Sequence, residues 1–286
     1  VLGHANRAGL SLNKKHGTGA ARVRLAAVDV RDYARLRKGL AKFKPHLIFH
    51  LAGMHFIPDC EKDPALTLRV NVEGTLNLLR AAATSGQAKA LVFASSAAVY
   101  APDDAFHSEA DIPRPCEIYG LSKLMAEQLI RMMAPPANLS YVIARIFNPY
   151  GPGKATPYLI SRIASQVRAS SGVVRLGALD RFRDFIHVED VAEGLYRMGK
   201  LATSSRKCAD VMNLATGREH SVREVLQVLG EIAGNKIRVV QRREQLRTTD
   251  RRHLRANIQH MRRRLRWRPR VRLRDGLENL LAGQGT

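Results

Sequence analysis

The chain has 286 residues, 45% hydrophobic and 25% charged, with 47 Lys and Arg against 25 Asp and Glu and a net charge of +22. That length and ordinary globular composition allow a sizeable buried core in one large domain or two modest ones. No run approaches a transmembrane helix and no charged-then-apolar signal segment opens the chain; three scattered cysteines, Cys60, Cys116 and Cys208, fit neither a disulfide framework nor a metal knuckle, so a reducing cytoplasm is expected.

Taken in order, Val23 to Val30 reads as a strand ending in Asp29-Val-Arg-Asp32, and Tyr33 to Phe43 as a helix. His46-Leu-Ile-Phe-His-Leu-Ala52 reads as a buried strand that stops at Gly53. Leu66 to Ala83 reads as a helix with Leu68, Val72, Leu76 and Leu79 on one stripe and Gly86 beyond its end. Leu91 to Ala94 is the next strand and runs straight into Ser95-Ser96. A polar, proline-containing loop follows from Ala101 to Pro115, and an amphipathic helix opens near Tyr119. Leu121, Leu124, Met125, Leu129 and Ile130 carry its helical spacing, and Pro135-Pro136 ends it. Tyr141 to Ile146 is another strand.

This alternation is the signature of βαβ units and predicts an α/β fold, a Rossmann-type doubly wound parallel sheet. After Asn148-Pro-Tyr-Gly-Pro-Gly153 the texture becomes irregular, with helices over Val191 to Leu201 and Val222 to Ala233. The expected division is a dinucleotide-binding domain over 1–148 and a mainly substrate-binding region over 149–286. From Arg242 to Arg274 there are 14 arginines and only two acids, Glu244 and Asp250. Such a stretch suits nucleic acid or a solvated face. Trp267 is its only aromatic, so base stacking is not indicated and the solvated face is the favoured reading.

The chemistry sits in Tyr119-Gly-Leu-Ser-Lys123, placed 23 residues after Ser96. A Tyr and a Lys four apart share one helix face. A tyrosine starts near pKa 10, and bringing it to about 7 costs about 4 kcal/mol, which a neighbouring ammonium and a cationic nicotinamide ring can supply. Ser96 then hydrogen-bonds the substrate oxygen that gains or loses the proton, which is acid–base machinery for moving a hydride at a carbinol carbon. A bare Y-x-x-x-K is common by chance. The strand end before it and the helix start under it are where α/β sheets present reactive groups. His50 and His55 lack an obvious third metal ligand and read as core or loop histidines, while Asp184 and Asp190 read as local caps or pairs.

The order Asp29-Val-Arg-Asp, His50-Leu-Ala-Gly, Asn71-Val-Glu-Gly-Thr75, Ser95-Ser-Ala-Ala-Val-Tyr, Tyr119-x-x-x-Lys123 and Arg145-Ile-Phe-Asn-Pro-Tyr-Gly-Pro resembles the extended short-chain dehydrogenase/reductases. Arg183-Asp-Phe-Ile-His-Val-Glu-Asp190, Asn213-Leu-Ala-Thr-Gly217 and Leu265-Arg-Trp-Arg-Pro269 continue the resemblance. Within them the chain is most similar to the NAD-dependent epimerase/dehydratase group acting on nucleotide sugars. That resemblance implies NAD, with NADP possible, and a nucleotide-diphosphate sugar as partner. It puts Asp29 and Val30 against the adenine, Leu51, Ala52 and Gly53 beneath the phosphates and ribose, and Asn71 near the active site. Asn71 has the alternative reading of a structural, helix-bending residue. The resemblance further implies Tyr119 as base, Lys123 on the nicotinamide ribose, and Ser96 on the reacting sugar oxygen. It also implies Asn148, Arg183 and Arg247 as the grip on the diphosphate, and a homodimer through the two long helices, as is common among relatives.

The group's opening strand and Gly-x-x-Gly-x-x-Gly turn have no match. Val1 to Arg7 looks like the end of a second strand and the loop after it, and Gly17-Thr-Gly19 lacks both the spacing and a preceding strand. The expectation is a chain missing its first βα unit, an incomplete copy in preference to a naturally short form, with weak cofactor retention. Dehydratases of this group place an Asp-Glu acid–base pair where this chain has Ala97 and Ala98, so dehydration is disfavoured. UDP-glucose/UDP-galactose-type 4-epimerisation through a transient ketone, with bound NAD recycled, is expected. The alternatives are an NADP-linked nucleotide-sugar reductase, with Arg7 meeting a 2′-phosphate, and a non-catalytic basic relative that binds nucleic acid.

Overall fold

The structure is a computed structural model that describes residues 2–3, 25–152, 158–169, 172–204, 207–241 and 251–283. The first elements are β1 (Leu2–Gly3), β2 (Ala26–Ala27) and α1 (Tyr33–Phe43). Asp32 caps α1 by accepting from the Arg35 backbone N–H, and Lys44 closes it in the left-handed region. Then come β3 (Leu47–His50), α2 (Ile57–Lys62) and α3 (Pro64–Leu68). The helix read over Leu66 to Ala83 is not uniform. A π-turn over Arg69–Glu73 separates α3 from α4 (Gly74–Ser85). Gly86 ends α4 at φ +61°, a conformation that suits glycine.

Next follow β4 (Ala90–Ser96), β5 (Phe106–His107), α5 (Ile118–Met133) and β6 (Ser140–Ile146). β4 continues through both serines, two residues past the apolar run that announced it. The Ile118 N–H at the start of α5 is capped from a distance by the Glu61 carboxylate, at 2.7 Å. The remaining elements are β7 (Pro149–Tyr150), α6 (Leu159–Ala169), β8 (Val173–Leu176), β9 (Phe182–Arg183), β10 (Ile186–His187) and α7 (Val188–Ser204). They are followed by β11 (Ala209–Leu214), β12 (His220–Ser221), α8 (Val222–Ala233), β13 (Arg238–Gln241), β14 (Arg255–Ala256), α9 (Gln259–Leu265) and α10 (Leu273–Leu281).

A parallel sheet in the order β11-β6-β4-β3 forms the centre, with Ser96 in register with Ile146 and Ala90 with Ser140. Both faces are covered, which is why its strands read as continuous apolar runs. Leu91 and Phe93 of β4 pack with α1, α4 and α5 through Leu36, Leu40, Leu79 and Ile130. Val92, between them, faces Leu195 and Met198 of α7, Met261 of α9 and Trp267. β1 and β2 pair with each other in a separate two-stranded parallel sheet.

A third apolar cluster draws only on residues from Tyr150 onward, joining α6, β8, α8 and α10. α7, β11 and α9 come later in the chain than β7 but return to the central sheet. Among the described residues no helix is long and apolar enough to cross a membrane.

Candidate active site

The carboxyl end of β4 delivers Ser96, and a short 3₁₀ turn over Ala97–Val99 carries the chain away from the sheet. Ser96 Oγ caps that turn by accepting from the Ala98 N–H at 3.2 Å. The first turn of α5 stands beside it. Gly120 is what allows the approach, since a Cβ there would lie 2.2 Å from the Ala98 carbonyl oxygen. Tyr119, one residue earlier, is thereby brought beside Ser96 on the same cavity wall, close enough for the Ser96 hydroxyl to act on the phenol.

Burial pushes the Tyr119 phenol up to about 12, with the Ser96 hydroxyl acting the other way. Burial is thus the cost against which the expected lowering, by Lys123 together with a cationic nicotinamide ring, has to work. Lys123 is itself buried, donates from Nζ to the Ala94 carbonyl at 2.8 Å, and lies 4.9 Å from the Phe93 ring centroid. Burial lowers its ammonium to about 8, with Glu127 favouring the charge.

Below about pH 8 Lys123 is charged folded and unfolded, and its burial destabilises the fold; between about 8 and 10.5 only the unfolded chain keeps the proton, so stability rises with pH through that window. Lys123→Met is therefore expected to be more stable than the parent at pH 7, by about 2–3 kcal/mol in urea titration. The gap should close as the pH approaches 10.5. A pH-independent gap would contradict this account.

Asn71 acts on the site through the backbone. Its Oδ1 accepts from the Met54 N–H at 2.8 Å, and its Nδ2 donates to the Met54 carbonyl and to Ser122 Oγ, both at 2.9 Å. The π-turn that holds Asn71 thus ties the loop after β3 to α5. Gly53 lies under this strut, where a Cβ would sit 2.9 Å from Asn71 Oδ1 and 3.3 Å from Lys123 Nζ. Asp29 is engaged by Arg31, with a closest approach of 2.6 Å, at the exit of β2. Val30 is buried against Gly74.

Leu51, Gly53, Ser96, Tyr119, Lys123, Asn148 and Arg183 line one cavity of about 560 Å³. Asp29, Val30, Ala52 and Asn71 are not on its wall, and Arg247, Arg7 and Gly17-Thr-Gly19 lie outside the described residues. Asn148 Nδ2 donates to the Asp184 carbonyl at 3.2 Å, and Arg183 Nη1 donates to the Phe182 carbonyl at 2.8 Å.

Sequence reasoning missed Arg162, Arg181 and Arg251, which join Arg183 on the wall. Arg251 belongs to the arginine-rich stretch, and it donates to the Ala101 and Tyr100 carbonyls at 3.0 and 3.3 Å. Part of that stretch therefore faces the cavity. A concave site with four guanidiniums suits an anionic ligand such as a diphosphate. His55 and Tyr158 on the same wall were missed as site residues too.

Behind Ser96 lies a buried polar chain. Ser95 Oγ donates to Glu127 Oε1 at 2.5 Å, and Arg145 pairs with Glu127 through Nε and Nη2 at 3.1 and 2.8 Å. Arg145 Nη1 donates to Tyr100 Oη at 3.2 Å, and that hydroxyl donates to Asn213 Oδ1 at 2.6 Å. β4, α5, β6 and β11 are thus joined by hydrogen bonds in the core.

His50 is a core histidine: Thr75 Oγ1 donates to the Asn71 carbonyl at 2.6 Å and contacts His50 Nε2 at 3.0 Å, and burial lowers the imidazole to about 3. Asp184 accepts from the Thr216 and Gly217 N–H groups, both at 2.8 Å, and Asp190 from those of Arg270 and Val271, both at 2.9 Å. Among the described residues no three His, Cys, Asp or Glu side chains are grouped to hold a metal.

A doubly wound parallel sheet with Ser96, Tyr119 and Lys123 at its carboxyl edge defines a Rossmann-type protein with a short-chain dehydrogenase-like site. Residues 4–280 match the family model described as GDP-mannose 4,6 dehydratase. The chain is 31% identical over 247 residues to the GDP-6-deoxy-D-mannose reductase of Pseudomonas aeruginosa, covering 83% of this chain and 80% of that one. It is 33% identical over 267 residues to the UDP-glucose 4-epimerase of Rhizobium meliloti, covering 86% and 79%. Among solved structures, RMD from Pseudomonas aeruginosa complexed with NADPH superposes with a TM-score of 0.81 at 28% identity, covering 92% of this chain and 91% of that one. MoeE5 in complex with UDP-glucose and NAD does so with 0.81 at 32%, covering 91% and 85%. The chain belongs to the GDP-mannose 4,6-dehydratase family, within the extended short-chain dehydrogenase/reductases.

Proposed function

We propose that the chain moves a hydride at a carbinol carbon of a nucleotide-diphosphate sugar, with 4-epimerisation as the overall reaction. The observation that carries this reading is the Ser96–Tyr119 hydroxyl pair on the wall of a cavity that four arginines also line. Tyr119 takes the proton of the sugar hydroxyl and returns it, and Ser96 holds the same oxygen while it changes between alcohol and ketone. Arg183, with Asn148 and Arg247, holds the diphosphate, and Arg162, Arg181 and Arg251 extend that grip.

NAD, or NADP, supplies the hydride acceptor when bound. The residues present fit it in part. Gly53 keeps the backbone beside Lys123 free of a side chain, and Leu51 and Gly53 face the cavity. Leu51, Ala52 and Gly53 would lie beneath it, Lys123 would hold its ribose, and Asp29 and Val30 would meet the adenine. Asn71 would serve it as a strut. In this reading residues 1–148 form the dinucleotide-binding domain and most of 149–286 the substrate region, apart from the elements that rejoin the sheet.

Ala97 and Ala98 present methyl groups, which transfer no protons, at the turn beside Ser96. That favours epimerisation or reduction over loss of water. Reduction is the second reading, supported by the similarity to the Pseudomonas aeruginosa reductase.

Incubating the protein with UDP-glucose and NAD is expected to yield UDP-galactose with no net NADH. Stoichiometric NADPH consumption by a keto-sugar nucleotide, with no interconversion of the two UDP-sugars, would establish the second reading in its place.

A further inference from the structure

The Ser96–Tyr119 side of the cavity has a counterpart that the proton relay does not use. His55 lies in the loop between β3 and α2, and Tyr158 stands just before α6, 103 residues away. Their side chains meet: the Tyr158 hydroxyl and His55 Nδ1 are hydrogen-bonded, with ring centroids 5.7 Å apart. Phe56 packs edge-on against Tyr158 at 5.9 Å and holds the phenol ring in place. Both residues line the cavity together with Ser96 and Tyr119.

The direction of that hydrogen bond follows from the chemistry of the two groups. A phenol is a good donor and a poor acceptor, whereas an imidazole nitrogen is a good acceptor. Burial holds the Tyr158 hydroxyl protonated, and the nearby Tyr119 hydroxyl acts the same way. Partial desolvation, with the Lys123 charge in range, pushes the His55 imidazole below its usual range although one side of the residue is exposed. Tyr158 therefore donates to Nδ1, which places the remaining imidazole proton on Nε2. The ring is locked in one tautomer, with an N–H donor at the end opposite Tyr158. His55 and Tyr158 line the same cavity as Ser96, Tyr119 and Lys123, and the Lys123 charge and the Tyr119 hydroxyl are within electrostatic range of the pair.

We propose that His55 is a specificity-determining residue whose Nε2–H donates to a hydroxyl or keto oxygen of the sugar ring, and that Tyr158 is the positioning residue that sets its tautomer. This rests on the reading that the substrate is a nucleotide sugar. A neutral donor fits an uncharged sugar oxygen, while the arginines serve the phosphates. Because loops from both parts of the chain supply the pair, it also joins the two walls over the sugar.

Calorimetric titration tests this with UDP-glucose and GDP-mannose beside UDP and GDP, on the parent chain and on His55→Ala, Tyr158→Phe and the double variant. His55→Ala is expected to weaken the better-bound nucleotide sugar about tenfold and leave the matching diphosphate within about twofold. Tyr158→Phe should reproduce much of that loss, and the double variant should be no worse than His55→Ala, because both changes remove one donor. Unchanged sugar affinity in His55→Ala, an equal loss for the bare diphosphate, or additive losses in the double variant would each overturn the assignment. Parent protein that binds the diphosphates but gains nothing from the sugar also overturns it. Failure of the parent to bind any of the four is a separate result that overturns the proposed function itself.

Discussion

Tyr119→Phe is expected to lower kcat by about 10³-fold while nucleotide-sugar affinity stays within about threefold of the parent. The substitution removes one oxygen and leaves the ring, so the packing of α5 on the 3₁₀ turn is retained. What disappears is the group proposed to exchange a proton with the sugar hydroxyl. Steady-state kinetics and calorimetry on the same preparation separate the two effects. A variant that keeps more than a tenth of the parent turnover would remove Tyr119 from the proton relay. Since burial sets the phenol near 12, the proposed relay calls for positive charge close to the hydroxyl, as Lys123 with a cationic nicotinamide ring would supply.

The second large effect lies below the site. Glu127→Ala is expected to destabilise the fold by about 3–5 kcal/mol in urea titration, because it leaves the Arg145 guanidinium buried without its carboxylate. Glu127 is fully buried and Arg145 nearly so, so water does not readily replace the lost partner. Ser95 loses its acceptor in the same step, and Tyr100 and Asn213 sit further along the same chain of hydrogen bonds. Glu127→Gln keeps an acceptor oxygen for Ser95 and should cost less. A loss below about 1 kcal/mol in Glu127→Ala would show that the pair contributes little to the fold.

Where one residue's neighbours in the chain decide its state, the sequence was readable. The helix expected over Val222 to Ala233 has those bounds in the structure, with Ser221 capping its start and Gly234 ending it in the left-handed region. β6 extends its apolar run by one residue, to Ser140. The π-turn at Asn71 was not readable, because Leu68, Val72, Leu76 and Leu79 keep ordinary helical spacing across it; of these only Leu79 joins the core, with Leu78 buried beside it, while the other three stay part-exposed. Asn71 shows its use only once Met54 and Ser122 are beside it. The arginine-rich stretch read as a solvated face, and for Arg262, Arg263 and Arg268 it is one. Arg251 turns to the cavity because the Tyr100 and Ala101 carbonyls hold it there.

The sequence by itself determined the βαβ order, the strand end that carries Ser96 and the helix face that carries Tyr119 and Lys123. It did so because periodicity, caps and turns are local, and an i,i+4 pair lies within one helix turn. The tertiary structure decided the rest. Arg162, the Arg181/Arg183 pair and Arg251 come from three separate segments and meet only around the cavity, as do His55 and Tyr158. It also decided the sign of the Tyr119 shift, since desolvation depends on everything packed around the phenol and not on the lysine one turn away.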